Sequence, residues 1–310
     1  MYIFNTLMPV ILIIALGKLL AKSRVFPEGF ARCLNLLTYW VALPALLLDQ
    51  VTNATFESGN VARLSLLLVI ATVASIFAAY IAVLVFRLNR QQTGAFVQGS
   101  ARSNNAFIGL PVIMYALSHI DGVQAFATVA LAPAIVFYNI MSITVLLIHS
   151  ERKENHPLLK SAALFIKQLV TNPMLLACVA GLTLNYFGFK FPLMIQRSLS
   201  TLGASALALA LLSIGAALSF KGANHGLRFS ITASAIKVFI QPLIGLGLAL
   251  LWDIPPMDRK ILLIYLACPT AVVSYALADI FGSDKDLAAH IIVISTVMSI
   301  ISLSLIVAFG

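Results

Sequence analysis

Long apolar stretches alternate with short polar connections along the whole chain. A helix of about 20 apolar residues is long enough to cross the hydrocarbon core of a membrane. By that criterion the pattern predicts ten spanning helices, at residues 2–21, 31–50, 64–87, 94–118, 123–148, 161–187, 197–219, 229–252, 260–281 and 287–309. The longest polar connection, at about residues 149–160, leaves five predicted spans on either side. We therefore predict an all-α membrane protein.

The composition removes several alternative classes of protein. Of the 310 residues, 61% are hydrophobic and 10% are charged, whereas charged residues make up about a quarter of soluble domains. The net charge of +9 is spread over short loops, which indicates membrane orientation rather than nucleic-acid binding. Cys33, Cys178 and Cys268 lack the spacing of a disulfide framework or a metal site. We expect a lipid bilayer around the protein, no metal site and no resident cofactor.

The distribution of lysine and arginine predicts the orientation in the membrane. Thirteen of these residues lie at one set of span ends and loops, and five lie at the other. Basic residues accumulate on the cytoplasmic side of membrane proteins. The more basic side, which includes the central loop, is therefore predicted to be cytoplasmic, and both termini are predicted to lie outside.

The two halves of the chain share sequence features. An odd number of spans in each half places the second half upside-down relative to the first. Pro9 is followed eight residues later by Gly17, as Pro173 is by Gly181. In spans four and nine, a basic residue stands nine residues before a proline. These matches, in the same order, predict a five-plus-five inverted repeat.

Pro111 and Pro269 lie near the middle of spans four and nine, where a membrane helix seldom carries proline. A proline inside a helix removes a backbone hydrogen bond, which is costly in lipid unless neighbouring groups repair it. Paired interruptions at matching places are a pointer to a transporter binding site. Because proline suits the first turn of a helix, we expect each proline to open a second half-helix. The positive ends of these half-helices would then favour an anion such as a carboxylate.

The candidate substrate-binding residues lie within and beside the two breaks: Arg102, Ser103, Asn104, Asn105, Pro111, Cys268, Pro269 and Thr270. The two asparagines and Thr270 can either hydrogen-bond a carboxylate or repair the broken backbone. Cys268 is interpreted as a small buried residue rather than a reactive thiol. Further polar side chains that could face the breaks are Tyr138, Asn139, Thr144, Ser295, Thr296 and Ser299.

Four ionisable residues inside or near the spans are candidates for a role in transport, because charge in a membrane is costly. Arg102 could neutralise a bound anion, or its long side chain could reach the cytoplasmic surface. Lys237 could take part in the coupling of transport, or its side chain could reach the cytoplasmic surface. Asp279 and His290 could form a proton-relay pair, since histidine titrates near neutral pH. The alternative for that pair is ordinary charge at the membrane surface.

The ten spans, the inverted repeat and the two proline breaks resemble the auxin efflux carrier family, which includes plant auxin exporters and bacterial malonate and malate carriers. The resemblance covers essentially the whole chain and is carried by residues 103–111, Asn172-Pro173 and residues 267–270. It implies a crossover fold like that of the bile-acid sodium symporters, with Asn104 or Asn105 as the pivot asparagine. The short central loop resembles that of bacterial members, so a bacterial inner membrane is expected.

The resemblance also implies how the chain is divided and how it works. Scaffold helices at residues 1–63 and 161–221 would form a homodimer. Transport-domain helices at residues 64–150 and 222–310 would move in an elevator-like manner, and residues 151–160 would form a cytoplasmic loop. Sodium-coupled relatives place an acidic residue beside the second break, but Tyr265–Thr270 contains none.

The sequence thus predicts a secondary active transporter of small organic carboxylates such as malonate or malate. The alternative is a sodium-coupled carrier of the bile-acid symporter type, or a proton antiporter. An intramembrane enzyme is not expected, because the spans offer no nucleophile–base pair and no metal cluster.

Overall fold

The computed structural model describes residues 2–23, 29–53, 58–117, 120, 122–150, 170–217 and 226–309. Within these ranges the regular secondary structure is helical, and the one extended pairing is an isolated antiparallel bridge between Ser103 and Thr270. Within them, six helical stretches are long and apolar enough to cross a membrane: Arg32–Thr52, Asn60–Phe86, Val123–Ile148, Leu193–Ser213, Leu227–Leu251 and Lys285–Phe309. The predicted all-α membrane class is confirmed. The predicted cytoplasmic loop at residues 151–160 lies outside the described residues.

The helices are numbered here in chain order. They are α1 (Tyr2–Lys22), α2 (Phe30–Leu37), α3 (Leu43–Thr52), α4 (Ser58–Phe86), α5 (Arg90–Ala101), α6 (Leu110–Ala116), α7 (Val123–Ile148), α8 (Pro173–Tyr186), α9 (Leu193–Ala217), α10 (Leu227–Ala235), α11 (Gln241–Leu251), α12 (Pro256–Ala267), α13 (Val273–Ile280) and α14 (Lys285–Phe309). Three π-helical turns join consecutive helices: π1 (Thr38–Ala42), π2 (Asn105–Gly109) and π3 (Ile236–Ile240).

The chain divides into two compact units. Unit 1 comprises Met1–Ala62, Ala106–Ala132 and Lys167–Leu218, and unit 2 comprises Arg63–Asn105, Pro133–Ile166 and Ser219–Gly310.

In unit 1, glycines allow helices to approach until their backbones touch. Helix α1 packs against α9, and α3 packs against α8. A Cβ atom at Gly17 would overlap the backbone of Leu212, and one at Gly215 would overlap the backbone of Ile14. Because a backbone clash is not relieved by rotating a side chain, both positions require glycine.

Unit 2 is organised around α14, which contacts α5, α10, α12 and α13. One apolar cluster consists of Ile143, Leu146, Leu277 and Phe281. Helix α11 lies close against α12, where Gly245 leaves room for the side chain of Leu266. This packing brings the C-terminal end of α12 beside π3.

Each π-turn is followed, two residues later, by a proline in the first turn of the next helix: Pro44, Pro111 and Pro242. A proline has no N–H, and its ring crowds the carbonyl group four residues earlier. The wider turn accommodates that crowding, and the amide of Gln241 accordingly bonds to the carbonyl of Ile236, five residues back.

Candidate functional site

The two breaks predicted in spans four and nine lie side by side in unit 2. Residues 102–104 follow the end of α5, and residues 268–272 follow the end of α12; we call them the crossing segments. The amide of Asn104 donates to the carbonyl of Pro269 at 2.8 Å, and the amide of Ala271 donates to the carbonyl of Arg102 at 3.0 Å. The crossing is therefore held together by main-chain hydrogen bonds in an antiparallel arrangement.

The two prolines differ in how they match the expected arrangement. Pro111 lies in the first turn of a helix, α6, as predicted, and the chain leaves helical geometry at Arg102–Asn104, within the predicted first break. Pro269 lies inside a crossing segment, and α13 begins only at Val273, so Pro269 does not open a half-helix. The residues that follow Pro269 pair with the other crossing segment instead of starting a helix. The residue before a proline is also driven out of helical geometry. Cys268 accordingly has the extended angles φ −59° and ψ 145°.

The end of α5 leaves carbonyl groups without intrahelical partners, and side chains of unit 2 bind them. The hydroxyl of Thr270 donates to Gly99 at 2.6 Å. The hydroxyl of Ser75, from α4, donates to Ser100 at 3.1 Å. The break is thus repaired by identifiable groups, as a buried interruption of a membrane helix requires.

The end of α12 is repaired in the same way. The carbonyl of Leu266 would normally accept the amide of Thr270, but that amide donates to Oγ of Ser295 on α14 at 3.0 Å. Lys237 from π3 donates to the Leu266 carbonyl instead, at 2.7 Å. Side chains from two other helices therefore replace the hydrogen bonds that the break removes.

Two candidate substrate ligands belong to this repair. Thr270 is 1% exposed, and its hydroxyl hydrogen is used by Gly99. The thiol of Cys268 is buried and donates to the carbonyl of Ile264 at 3.1 Å. For both residues the structure supports the alternative interpretation, in which the side chain stabilises the broken backbone.

Two other candidates are buried without any hydrogen-bond partner among the described residues. Oγ of Ser103 and both polar side-chain atoms of Asn105 lack a partner, although these residues are only 6% and 3% exposed. The hydroxyl of Tyr138 on α7 lies beside both side chains, although neither reaches hydrogen-bond geometry. An unpaired buried polar group costs about 1–3 kcal/mol, so a cluster of them calls for a bound ligand or water.

Arg102 brings positive charge to the same region. It is buried, and its guanidinium donates to Oδ1 of Asn139 on α7 at 2.7 Å. The side chain therefore does not extend to the surface, and of the two possibilities for Arg102 the structure supports a role inside unit 2. Asn104 is buried as well and bonds to Pro269 through its main chain.

The remaining ionisable candidates are distributed differently from the expectation. Lys237 is fully buried, so snorkelling is excluded; besides Leu266 it donates to Oε1 of Gln241 at 2.6 Å. Asp279 is half-exposed and pairs with Lys285 at 3.0 Å rather than with His290. His290 is partly buried, and its Nδ1 has no hydrogen-bond partner among the described residues. Of the two possibilities for Asp279 and His290, the ion pair with Lys285 favours ordinary surface charge over a relay pair.

Sequence reasoning missed the part played by Gln241 and Thr72. Nε2 of Gln241 donates to the hydroxyl of Thr72 at 3.0 Å and to the carbonyl of Ala101 at 3.4 Å, so it joins α4, α5 and α11. Its position next to Pro242 and one turn after Lys237 was the available signal. In the described part of the chain, no group of three histidine, cysteine or acidic residues could hold a metal ion.

Comparison with known proteins gives a consistent result. The family model described as "Membrane transport protein" matches residues 2–307. The chain is 26% identical to an uncharacterized transporter of Methanothermobacter thermautotrophicus, with 97% of this chain and 96% of that protein covered. It is 24% identical to an uncharacterized transporter of Methanocaldococcus jannaschii, with 96% and 95% covered. It is also 23% identical to a Rhizobium meliloti protein named "Putative malonate transporter", with 96% and 92% covered.

Proposed function

The chain belongs to the membrane transport protein family, which includes the auxin efflux carriers that its sequence resembles, and on that premise we propose that it is a secondary active transporter of small organic anions. Its substrates are carboxylates of the size of malonate or malate, and it works by elevator-like alternating access about the crossing. That the chain is a membrane transporter and not an enzyme follows from the family.

The observation that carries the anion proposal is the buried, unpartnered amide of Asn105 beside Ser103 in a region that also holds Arg102. An amide and a hydroxyl supply N–H and O–H donors, which are what a carboxylate needs. The guanidinium of Arg102, which donates to Asn139, supplies a compensating positive charge. In this proposal Asn105, Ser103 and Arg102 bind the substrate, and Asn104 holds the crossing.

The architecture proposed for the chain is ten spans in a five-plus-five inverted repeat. Two features support it. Gly17 and Gly181, which correspond in the proposed repeat, both lie at close helix contacts of unit 1, with Leu212 and Val51 respectively. In unit 2, α5 and α12 each have 12 residues and each end at a crossing segment.

The division into a scaffold and a transport domain is also a proposal. Unit 1 supplies the scaffold that dimerises, and unit 2 supplies the moving part, which contains the crossing segments. Unit 1 includes Ala106–Ala132, which comprise most of π2, all of α6 and the first part of α7, so the transport domain proposed here lacks part of residues 64–150. We propose further that the protein lies in a bacterial inner membrane with both termini outside, as the basic residues suggest.

The relative named for malonate supports a dicarboxylate among the candidate substrates, although its identity to this chain is only 23%. The alternative function is a sodium-coupled carrier of the bile-acid type or a proton antiporter. These carriers need a sodium or proton gradient for uptake, whereas a carrier that exchanges one carboxylate for another does not.

The experiment is a thermal-shift screen of the purified protein against mono- and dicarboxylates, followed by uptake into proteoliposomes. A ligand at a hundredfold excess over Kd stabilises the folded protein by about 2.7 kcal/mol, so a substrate gives a visible shift. Asn105→Ala is expected to remove the shift and the uptake, whereas Asn53→Ala, at an exposed position in unit 1, leaves both unchanged.

Two results would contradict the proposal. One is undiminished uptake by both Asn104→Ala and Asn105→Ala. The other is a flat response to every carboxylate together with a shift by a cation or a sterol-like amphiphile, which would favour the alternative function.

A further inference from the structure

Lys237 is a lysine buried in the interior of unit 2. Its side chain is 0% exposed, and its Nζ donates to the carbonyl of Leu266 at 2.7 Å and to Oε1 of Gln241 at 2.6 Å. Both acceptors are neutral oxygens. Among the described residues, this lysine is therefore held by carbonyl groups rather than by a carboxylate.

The carbonyl of Leu266 is available because α12 stops at the crossing. The amide of Thr270, its normal helical partner, bonds to Ser295 instead. Lys237 therefore binds the C-terminal end of α12 at a carbonyl that the break has released.

The same lysine reaches the C-terminal end of α5 through Gln241. Nε2 of Gln241 donates to the carbonyl of Ala101, the last residue of α5, and to the hydroxyl of Thr72. These two acceptors fix the orientation of the amide, and its Oε1 therefore faces Lys237. The lysine and the glutamine together cover the ends of both interrupted helices.

The electrostatics of this place favour a cation. The C-terminal end of a helix carries the equivalent of about half a negative elementary charge, and here the ends of α5 and α12 lie together in a region buried from solvent. In transporters with discontinuous helices, such ends and their released carbonyl groups coordinate the coupling cation. In this chain the position is filled by a side-chain amine.

We propose that the ammonium group of Lys237 is a tethered cation that occupies the coupling-cation position of the crossing, so that transport needs no coupling metal ion. Lys237 acts here as a positioning residue, because it neutralises and joins the ends of α5 and α12 without touching the substrate. The role of Lys237 in coupling rests on the proposed function, whereas the tethered cation itself can be tested without any substrate.

The test uses the missing part of the side chain as a ligand. Lys237→Ala removes Cγ, Cδ, Cε and Nζ, and n-propylammonium has the same chain of three carbons and one nitrogen. We expect the thermal midpoint of this variant to fall by about 5 °C or more, and n-propylammonium to recover at least half of the loss. The neutral analogue 1-propanol is expected to recover little. Lys285→Ala, at an exposed lysine, is the matched control and should not respond to either compound.

A second variant separates charge from volume. Lys237→Met fills the space without an ammonium group, so it is expected to be destabilised and to ignore n-propylammonium. If Lys237→Ala cannot be purified in folded form, the stability of Lys237→Met decides whether the ammonium group is needed. In the unmodified protein, exchange of sodium for choline is expected to change neither substrate binding nor uptake.

Three outcomes overturn the proposal: equal recovery by 1-propanol, a Lys237→Met variant as stable as the unmodified protein, or a sodium requirement for uptake. Recovery by n-propylammonium with no response to carboxylates would keep the tethered cation and reject the proposed substrate class. Carboxylate uptake by the unmodified protein, with no recovery of Lys237→Ala by n-propylammonium, would keep the proposed substrate class and reject the tethered cation.

Discussion

The main-chain amide of Asn104 donates a 2.8 Å hydrogen bond to the main-chain carbonyl of Pro269, 165 positions further along the sequence. A second main-chain bond, from Ala271 to Arg102, lies beside it. Main-chain groups of the two crossing segments thus bond to each other, and side chains from four other helical segments bond to the remaining main-chain groups at the breaks. This arrangement makes several properties of the protein testable.

Ser295 should be structurally important although it touches no substrate in the proposed mechanism. Its Oγ accepts the amide of Thr270, and Ser295→Ala would leave that buried N–H without a partner. The expected cost is about 1–3 kcal/mol of stability, measured as a lower thermal midpoint. Ser299→Ala is the matched control, because the Ser299 hydroxyl only donates to Thr296 in its own helix. Equal effects of the two substitutions would contradict the repair of the crossing by Ser295.

Arg102→Gln should weaken the binding of dicarboxylates more than that of monocarboxylates. The substitution removes the positive charge and the terminal nitrogen that donates to Asn139, while keeping a polar side chain. A hydrogen bond to a charged group contributes about 1.5–3 kcal/mol, so the dissociation constant should rise about 10- to 100-fold. Titration calorimetry or thermal shift measures the change.

The control for Arg102 is Arg90→Gln at the beginning of α5. Arg90 is exposed and donates to the carbonyl of Ile148, away from the crossing segments in the sequence. Its substitution is expected to leave all dissociation constants unchanged. An unchanged affinity in Arg102→Gln would remove this residue from the proposed site.

Gly215→Ala should destabilise unit 1. The added Cβ would overlap the backbone of Ile14 on α1, and separating α1 from α9 costs about 1–3 kcal/mol, as overpacking does elsewhere. Gly247→Ala is the comparison, because a Cβ there meets nothing within 4 Å. That variant should be neutral or slightly more stable, since alanine favours a helix over glycine by about 0.5–1 kcal/mol. Thermal unfolding in detergent compares the two.

Asp279→Asn should leave both stability and the pH dependence of uptake nearly unchanged. The carboxylate is half-exposed and bound by Lys285, and such surface pairs contribute about 0–1 kcal/mol. A shift of the pH profile in this variant would restore Asp279 and His290 as a proton relay. Uptake measured across pH in both variants, Asp279→Asn and His290→Ala, decides between these outcomes.

The helices were largely predictable because apolar length dictates them. The end of α7, Ile148, coincides with the predicted boundary, and α5 was correctly predicted to break before α6. What could not be predicted is how the chain returns to a helix after each break. After the first break, π2 leads into α6 with Pro111 in its first turn, whereas after the second break the next helix begins only at Val273, four residues beyond Pro269.

That the two breaks carry polar residues could be read from the sequence, whereas the contacts of each side chain could not. Asn105 and Thr270 are both polar residues beside a break, and the sequence around them does not show which side chain forms a hydrogen bond to the backbone. That depends on α14, which supplies Ser295, and on α5, whose Gly99 accepts the Thr270 hydroxyl. Snorkelling stayed open for Lys237 because its acceptor, the carbonyl of Leu266, is distant in sequence. Long-range contacts of this kind leave no local pattern.

A crossing held by peptide groups has a consequence for how such carriers diversify. In the proposed mechanism the side chains of Ser103 and Asn105 bind the substrate, and both can be replaced without removing either of the two main-chain bonds, so that a change of substrate would need few substitutions. The part of the fold that is hardest to assemble is thereby shielded from those changes. A genome is therefore expected to encode paralogues that share this crossing and transport different substrates.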